Sequence, residues 1–303
     1  MSKTYLITGG AGFIGSHIAA ALIARGDNVR ILDDLSTGKE EYLPDGAELA
    51  VAKITDDDDL AATCRNADGI FHTAAIANLQ YSITNPVETH EVNCTGTVKL
   101  LVAAREAGVK RVIYSSSCAV YGEPESLPLR ETMHTKPTSP YGLQKLMSEG
   151  YMELAAELWN IETVNLRYAN VFGPRLVMNG AYASVIATFL QQHAAGLPLT
   201  ITGDGTQTRD FIYVDDVVAA NLAAMDSAKV GNGEQINIGT GQATSVNEVA
   251  KQFGGATKNI AARKEVHDAT TDISLAKSLL NWEPQTKFQE GLQKTIAWYA
   301  EQA

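Results

Sequence analysis

Short runs of β-branched and aliphatic residues alternate with amphipathic stretches through the first half of the chain. Tyr5–Thr8, Val29–Asp33, Glu48–Ile54, Gly69–Ala74, Arg111–Ser116 and Thr163–Arg167 read as strands, with helical patterns at Gly12–Arg25, Asn93–Ala107 and Tyr141–Trp159. Regular strand–helix alternation predicts an α/β fold, a doubly wound parallel sheet covered by helices on both faces. Ligands of such sheets sit at the C-terminal ends of the strands. After Gly173 the rhythm breaks. Gly203-Asp204-Gly205-Thr206 reads as a turn, and Val249–Phe253 and Phe288–Tyr299 read as helices, the last with Phe288, Leu292, Ile296 and Tyr299 on one face. The expected division is a first domain over 1–173 and a smaller C-terminal lobe over 174–303, with some elements of the lobe free to return to the first domain.

Composition narrows the picture by exclusion. A chain of 303 residues with 45% hydrophobic content can bury a large core. Its net charge of −11 argues against a broad basic surface for nucleic acid or anionic lipid, so an acidic ligand would need a few locally placed arginines. Cys64, Cys94 and Cys118 are odd in number and lack CxxC spacing, which speaks against a disulfide framework or a zinc site, and no metal site is expected. The N-terminal stretch is too short and polar for a signal segment, and no apolar run approaches the roughly 20 residues that span a bilayer. A soluble, cytoplasmic protein is the expectation. The acidic run Asp56–Asp59 reads as the start of a helix over Leu60–Arg65, where the helix dipole favours carboxylates.

Two constellations carry chemistry. Thr8-Gly9-Gly10-Ala11-Gly12-Phe13-Ile14-Gly15 follows a strand and opens a helix, and Gly9, Gly12 and Gly15 permit a tight turn, close approach to a pyrophosphate and close helix–strand contact. Asp33 ends the second strand, where a carboxylate accepts both ribose hydroxyls and repels a 2′-phosphate, so NAD is preferred to NADP. Tyr141 and Lys145 stand four apart on a helix and point the same way. A nearby ammonium and a cationic nicotinamide ring would favour the phenolate. A strand-end hydroxyl from Ser115-Ser116-Ser117 can hydrogen-bond the same substrate oxygen. The pair alone is a weak signal, since most such pairs are solvated helix faces.

Taken in order, these segments resemble the extended short-chain dehydrogenase/reductase family, in particular its UDP-galactose (UDP-hexose) 4-epimerase branch. The likeness continues through Phe71-His72-Thr73-Ala74-Ala75, Asn93-Cys94-Thr95-Gly96-Thr97, Tyr114 to Gly122, Ser139-Pro140-Tyr141, Leu166 to Arg175, Arg209 to Asp216 and Leu280-Asn281-Trp282-Glu283-Pro284. It implies a Rossmann-type NAD-binding domain carrying the catalytic residues, followed by a mainly substrate-binding lobe. It implies Ser117 and Tyr141 as catalytic hydroxyls and Lys145 as the residue that holds the nicotinamide ribose and tunes Tyr141. Phe13 and Ile14 in the glycine loop, with Ile54, Phe71, Ala74, Ala75 and Asn93, would serve the cofactor, and Asn170, Arg209 and Arg263 the sugar nucleotide. The implied reaction oxidises C4 of a UDP-hexose, lets the 4-keto sugar rotate, and returns hydride to the other face. A homodimer built on Pro86–Ala107 and Tyr141–Trp159 is the family's habit.

The chain also departs from the pattern. Cys118-Ala119 stands where sugar 4,6-dehydratases carry Asp-Glu, and related decarboxylases use a Glu near the same turn, which counts against both reactions. Cys118 is read as a small filler beside the alternative of a proton-moving thiol. Ala52-Lys53-Ile54 replaces the usual Gly-Asp-Ile, removing an acceptor for the adenine amino group and leaving Ile54 to pack on the ring. Ala269, three before Asp272, aligns with a position where a bulky residue confines the pocket to glucose and galactose, and Asn179 to Ala183 resembles branches that handle N-acetylhexosamines. UDP-GlcNAc and UDP-GalNAc are therefore expected beside UDP-glucose and UDP-galactose. The competing readings are a UDP-uronate 4-epimerase, another NAD-dependent nucleotide-sugar enzyme, and an NAD-binding regulatory protein without catalysis. His17, His134 and His193 read as packing or surface residues.

Overall fold

The structure, a computed structural model, describes residues 2–177, 184–262 and 266–302. Its centre is a seven-stranded sheet. Strands β1 (Thr4–Thr8), β2 (Asn28–Asp33), β3 (Glu48–Val51), β4 (Gly69–His72), β5 (Arg111–Ser117) and β6 (Glu162–Tyr168) are joined by a later strand, Asn232–Ile238. The spatial order is Asn232–Ile238, β6, β5, β4, β1, β2, β3, and every pairing is parallel. The order reverses beside β1, which opens a crevice above the C-terminal ends of β1 and β4. Phe13–Ala24 and Val214–Asp226 pack together on one face, while Asp57–Cys64, Gly96–Ala107 and Pro140–Trp159 cover the other. Two buried clusters follow, one around Ile7, Ile31, Val164 and Ile236, the other around Leu6, Ile70, Val112 and Leu100. They are the two faces of one period-two pattern, because Leu6 and Ile7 point to opposite sides of β1.

The expected strands all form, with β3 and β4 ending two or three residues early. Beyond Val51 the Ala52 N–H bonds the Asp33 carbonyl at 3.1 Å and Lys53 N–H bonds the Asp56 carboxylate at 3.2 Å, so the chain turns into the next helix. Asp57, Asp58 and Asp59 occupy that helix's first turn. The strand Asn232–Ile238 was not foreseen, because Asn-Gly-Glu-Gln opens it, with a register irregularity at Asn232/Glu234 and Gly233 at φ +82°. Leading into the long helix, Pro86–His90 and Gly96–Ala107 are joined by a π-helical turn, Glu91–Thr95, that carries Asn93 inward. A third cluster (Phe172, Phe189, Leu199, Phe211, Tyr213, Val249, Phe253 and Leu292) forms the core beyond the sheet. Phe288, Ile296 and Tyr299 dock the last helix, Phe288–Glu301, on it.

Candidate active site

Gly9 turns the chain at φ +68° and its N–H donates to the Leu32 carbonyl at 2.8 Å, and Gly12 N–H closes back on the Gly9 carbonyl at 3.2 Å. The helix then starts at Phe13 with no side-chain cap and no acid in its first turn, so its leading N–H groups are left for a ligand. Asp33 is buried, its two oxygens accepting from Ala11 N–H and Leu35 N–H, each at 2.9 Å. Burial pushes its pKa up while those two N–H groups pull it down. A Cβ on Gly12 would meet nothing but the Gly9 carbonyl, at 3.2 Å, whereas one on Gly15 would strike that oxygen at 2.3 Å. An open cradle at Gly12, uncapped N–H groups and a strand-end carboxylate fit a dinucleotide pyrophosphate and ribose. Ala74 backs directly onto Gly9, whose Cβ would lie 2.7 Å from its Cα, and Ala75 follows it into the same loop.

The other cofactor positions differ in their surroundings. The Phe71 ring is fully buried against Tyr5, at 5.6 Å between centroids, so its side chain belongs to the core. Ile54 is buried against Gly96, and Phe13 packs toward the C-terminal cluster. Asn93 has a clear mechanical part. It accepts from Ile76 N–H at 2.8 Å, donates to the Ile76 carbonyl at 3.2 Å and to Gln144 Oε1 at 2.9 Å, and so ties the loop after β4 to the helix of Tyr141.

That helix, Pro140–Trp159, begins with Ser139 capping Gly142 N–H at 3.1 Å and Pro140 at its first position. Gly142 lets it approach the turn after β5, since a Cβ there would lie 2.6 Å from the Ala119 carbonyl. Lys145 Nζ pulls the helix onto β5 through a 2.6 Å bond to the Ser115 carbonyl. Ser117 ends β5, its Oγ accepting from Ala119 N–H at 3.1 Å, and its hydroxyl lies near enough to Tyr141 to pull that phenol's pKa down. Ser117, Tyr141 and Lys145 therefore meet at the strand ends. Lys145 Nζ stands 5.9 Å from the Tyr141 ring centroid and 4.7 Å from that of Tyr114.

Burial sets the electrostatics of this trio. Burial lowers Lys145 to about 7, against the upward pull of Cys94 and Glu149. Burial raises Tyr141 to about 12, with the Ser117 hydroxyl acting downward. Burial of the phenol dominates here, so the lysine alone does not make it a base. Cys118 donates weakly to the Arg167 carbonyl at 3.5 Å, and burial pushes its thiol up, which fits a filler.

Sequence reasoning missed the polar scaffold behind this trio. Glu149, one turn past Lys145, accepts from Ser116 Oγ at 2.5 Å and pairs with Arg167 at 2.7 and 2.9 Å, with both charges buried. Arg167 donates to Tyr121 at 3.0 Å, and Tyr121 donates to Asn237 Oδ1 at 2.7 Å. The spacing Lys145 to Glu149 was visible, but the partner charge lies on another strand. His72, held between Thr8 and Thr97 hydroxyls at 2.7 and 2.9 Å, is kept neutral by burial, its pKa falling to about 3.

On the substrate side, Asn170 is exposed just beyond β6, and its N–H donates to the Asp210 carbonyl at 2.9 Å. Arg209 is partly exposed, with Nη1 donating to the carbonyls of Thr208 at 2.8 Å and His267 at 2.9 Å. Ala269 lies beside it, its N–H donating to the Thr208 carbonyl at 3.2 Å. Arg263, with Lys264 and Glu265, and the run Asn179 to Ala183 lie outside the described residues. Among the described residues no cluster of three His, Cys, Asp or Glu could hold a metal ion, and no helix is long and apolar enough to cross a membrane.

Comparison with known proteins bears on this geometry. A putative UDP-glucose 4-epimerase of Methanocaldococcus jannaschii is 39% identical over 302 residues, 97% of each chain. A UDP-N-acetyl-alpha-D-glucosaminuronate decarboxylase of Bacillus cytotoxicus is 34% identical, over 99% of each. Among solved structures, the UDP-N-acetylglucosamine 4-epimerase of Methanobrevibacter ruminantium M1, in complex with UDP-N-acetylmuramic acid, superposes with a TM-score of 0.95 at 35% identity, covering 100% of this chain and 99% of that one. The family model of NAD dependent epimerases and dehydratases matches residues 5–239, and this chain belongs to that family, with NAD as its cofactor.

Proposed function

We propose that the chain is a 4-epimerase of UDP-hexoses, acting on UDP-glucose and UDP-galactose and also on UDP-GlcNAc and UDP-GalNAc. The observation that carries this reading is the proximity of Ser117 to Tyr141 beside a turn, Cys118-Ala119, that offers no carboxylate for elimination or decarboxylation. NAD, when bound, would supply a reversible hydride acceptor and positive charge. Tyr141 Oη takes the proton from the sugar 4-hydroxyl as C4 is oxidised, and returns it after the 4-keto sugar has turned over. Ser117 holds the same oxygen by a hydrogen bond. Lys145, fixed on the Ser115 carbonyl, keeps the helix register and adds positive charge when protonated. The glycine cradle and Asp33 orient the dinucleotide, while Asn170, Arg209 and Arg263 hold the sugar diphosphate.

Ala269 supports the wider substrate range. Its small side chain is partly exposed on the segment beside Arg209, where a bulkier one would project further. The test is incubation with a panel of UDP-sugars, the products being resolved by NMR of the anomeric protons. Interconversion at C4 is expected for plain and N-acetylated hexoses, and Ala269→Tyr should abolish the latter while sparing the former. Loss of both classes together, or no turnover of UDP-GlcNAc by the wild type, removes Ala269 as the gate. Decarboxylation of a UDP-uronate without C4 inversion would overturn the epimerase reading. The protein is further proposed to act as a homodimer through the apolar faces of Pro86–His90 and Pro140–Trp159, where Val87 is 75% exposed beside Leu143 and Met147.

A further inference from the structure

Arg209 and Asp210 are consecutive, and extended backbone sends consecutive side chains to opposite faces. Arg209 remains partly exposed, whereas Asp210 is 1% exposed. Its Oδ1 accepts from Thr240 N–H at 2.8 Å and Thr240 Oγ1 at 2.5 Å. Its Oδ2 accepts from Gly241 N–H at 3.0 Å, Thr271 N–H at 3.2 Å and Thr271 Oγ1 at 2.6 Å. Its main-chain carbonyl takes the Asn170 N–H at 2.9 Å. Gly239 makes room for the cluster, since a Cβ there would lie 2.2 Å from Thr271 Oγ1 and 2.7 Å from Asp210 Oδ2.

Two separate stretches of chain thus end on one carboxylate, the turn after Asn232–Ile238 and the segment that carries Ala269, while the strand end that carries Asn170 is held by the main chain of the same residue. We propose that Asp210 is a positioning residue for the nucleotide-sugar pocket, its carboxylate clasping the Ala269 segment and the turn at Thr240 and Gly241 to the strand of Arg209. None of residues 239–242 or 267–272 belongs to the buried apolar clusters. Their register therefore rests on polar bonds, and charge-assisted ones are the strongest of these. Losing the carboxylate frees the loops that shape the pocket and leaves the sheet core in place.

This inference rests on the UDP-sugar reading, and its test separates the two. The NAD-loaded full-length protein is titrated with UDP by calorimetry, as wild type, Asp210→Asn and Thr271→Val. Asn keeps one acceptor and turns an NH2 toward donors. Its dissociation constant for UDP should rise about tenfold or more, the scale of a charge-assisted hydrogen bond. KM for the sugar nucleotide should rise in parallel, with kcat at saturation and bound NAD within about threefold of wild type. Thr271→Val removes one hydroxyl and should weaken UDP about two- to fivefold. It keeps the idea testable should Asp210→Asn fail to fold. Unchanged UDP affinity in the folded variants would overturn the proposal, as would loss of melting temperature and NAD with UDP affinity intact. A wild type that does not bind UDP would sink the functional reading itself, and this inference with it.

Discussion

Gly12 and Gly15 lie one helical turn apart, yet the structure asks different things of them, which makes a paired substitution informative. At Gly15 an added Cβ would sit 2.3 Å from the Gly9 carbonyl, 2.8 Å from Gly10 Cα and 2.8 Å from Thr73 Oγ1. Two of these neighbours are main chain and cannot rotate away. Helix propensity favours alanine by about 1 kcal/mol, but overpacking against rigid neighbours costs about 1–3 kcal/mol or more. Gly15→Ala should therefore lose up to about 2 kcal/mol, or up to roughly 4–8 °C in melting temperature for a chain of this size. It should also lose NAD, because the loop must open. At Gly12 the new methyl meets one oxygen at 3.2 Å and otherwise open space, on backbone at φ −81° that alanine adopts freely. Gly12→Ala should melt within about 1–2 °C of wild type but carry far less NAD, since the methyl occupies the pyrophosphate approach. The assays are scanning fluorimetry of cofactor-stripped protein and chromatographic counting of released nucleotide. Equal destabilisation by both substitutions, or full NAD occupancy in Gly12→Ala, would refute the argument.

Tyr141→Phe should keep the fold and NAD but lose roughly two or more powers of ten in turnover, and Ser117→Ala should lose less; near-normal turnover of Tyr141→Phe would remove it as the base. Asp33→Ala should weaken NAD and relax discrimination against NADP, a ratio read from paired titrations; a wild type that binds both equally would contradict the ribose assignment. His72 is neutral in the fold with a pKa of about 3, against about 6.5 when unfolded. Between those values only the unfolded chain takes up the proton, so stability present above pH 6.5 is lost as pH falls, by up to about 4–5 kcal/mol. Urea midpoints from pH 7 to 4 should fall less steeply in His72→Gln than in wild type, and parallel slopes would count against it.

Much of the site was legible because its logic is local. The glycine loop needs only a strand, a turn and a helix in succession, and Asp33 needs only the end of the next strand. Tyr141 and Lys145 need one helical turn. What stayed hidden was long-range pairing. Glu149 and Arg167 are 18 residues apart, Asp210 and Thr271 are 61 apart, and Tyr121 and Asn237 are 116 apart. Nothing in the composition near Asp210 distinguishes a buried acceptor of five hydrogen bonds from an ordinary loop acid.

The sequence by itself determined the layered α/β architecture, because a parallel strand covered on both faces leaves an apolar run that local pattern reveals. It also determined the dinucleotide cradle and the candidate trio, whose residues lie close in the chain or at strand ends. Tertiary structure alone decided three further matters. It brought Asn232–Ile238 to the sheet edge despite a polar start, since β6 offered unpaired backbone groups there. It turned Phe71 and Ile54 inward, because the register of β4 and the approach of Gly96 set which face each residue takes. And it set the charge of the site: burial lowers Lys145 and raises Tyr141. Desolvation depends on every chain segment that excludes water, and no local pattern carries that information.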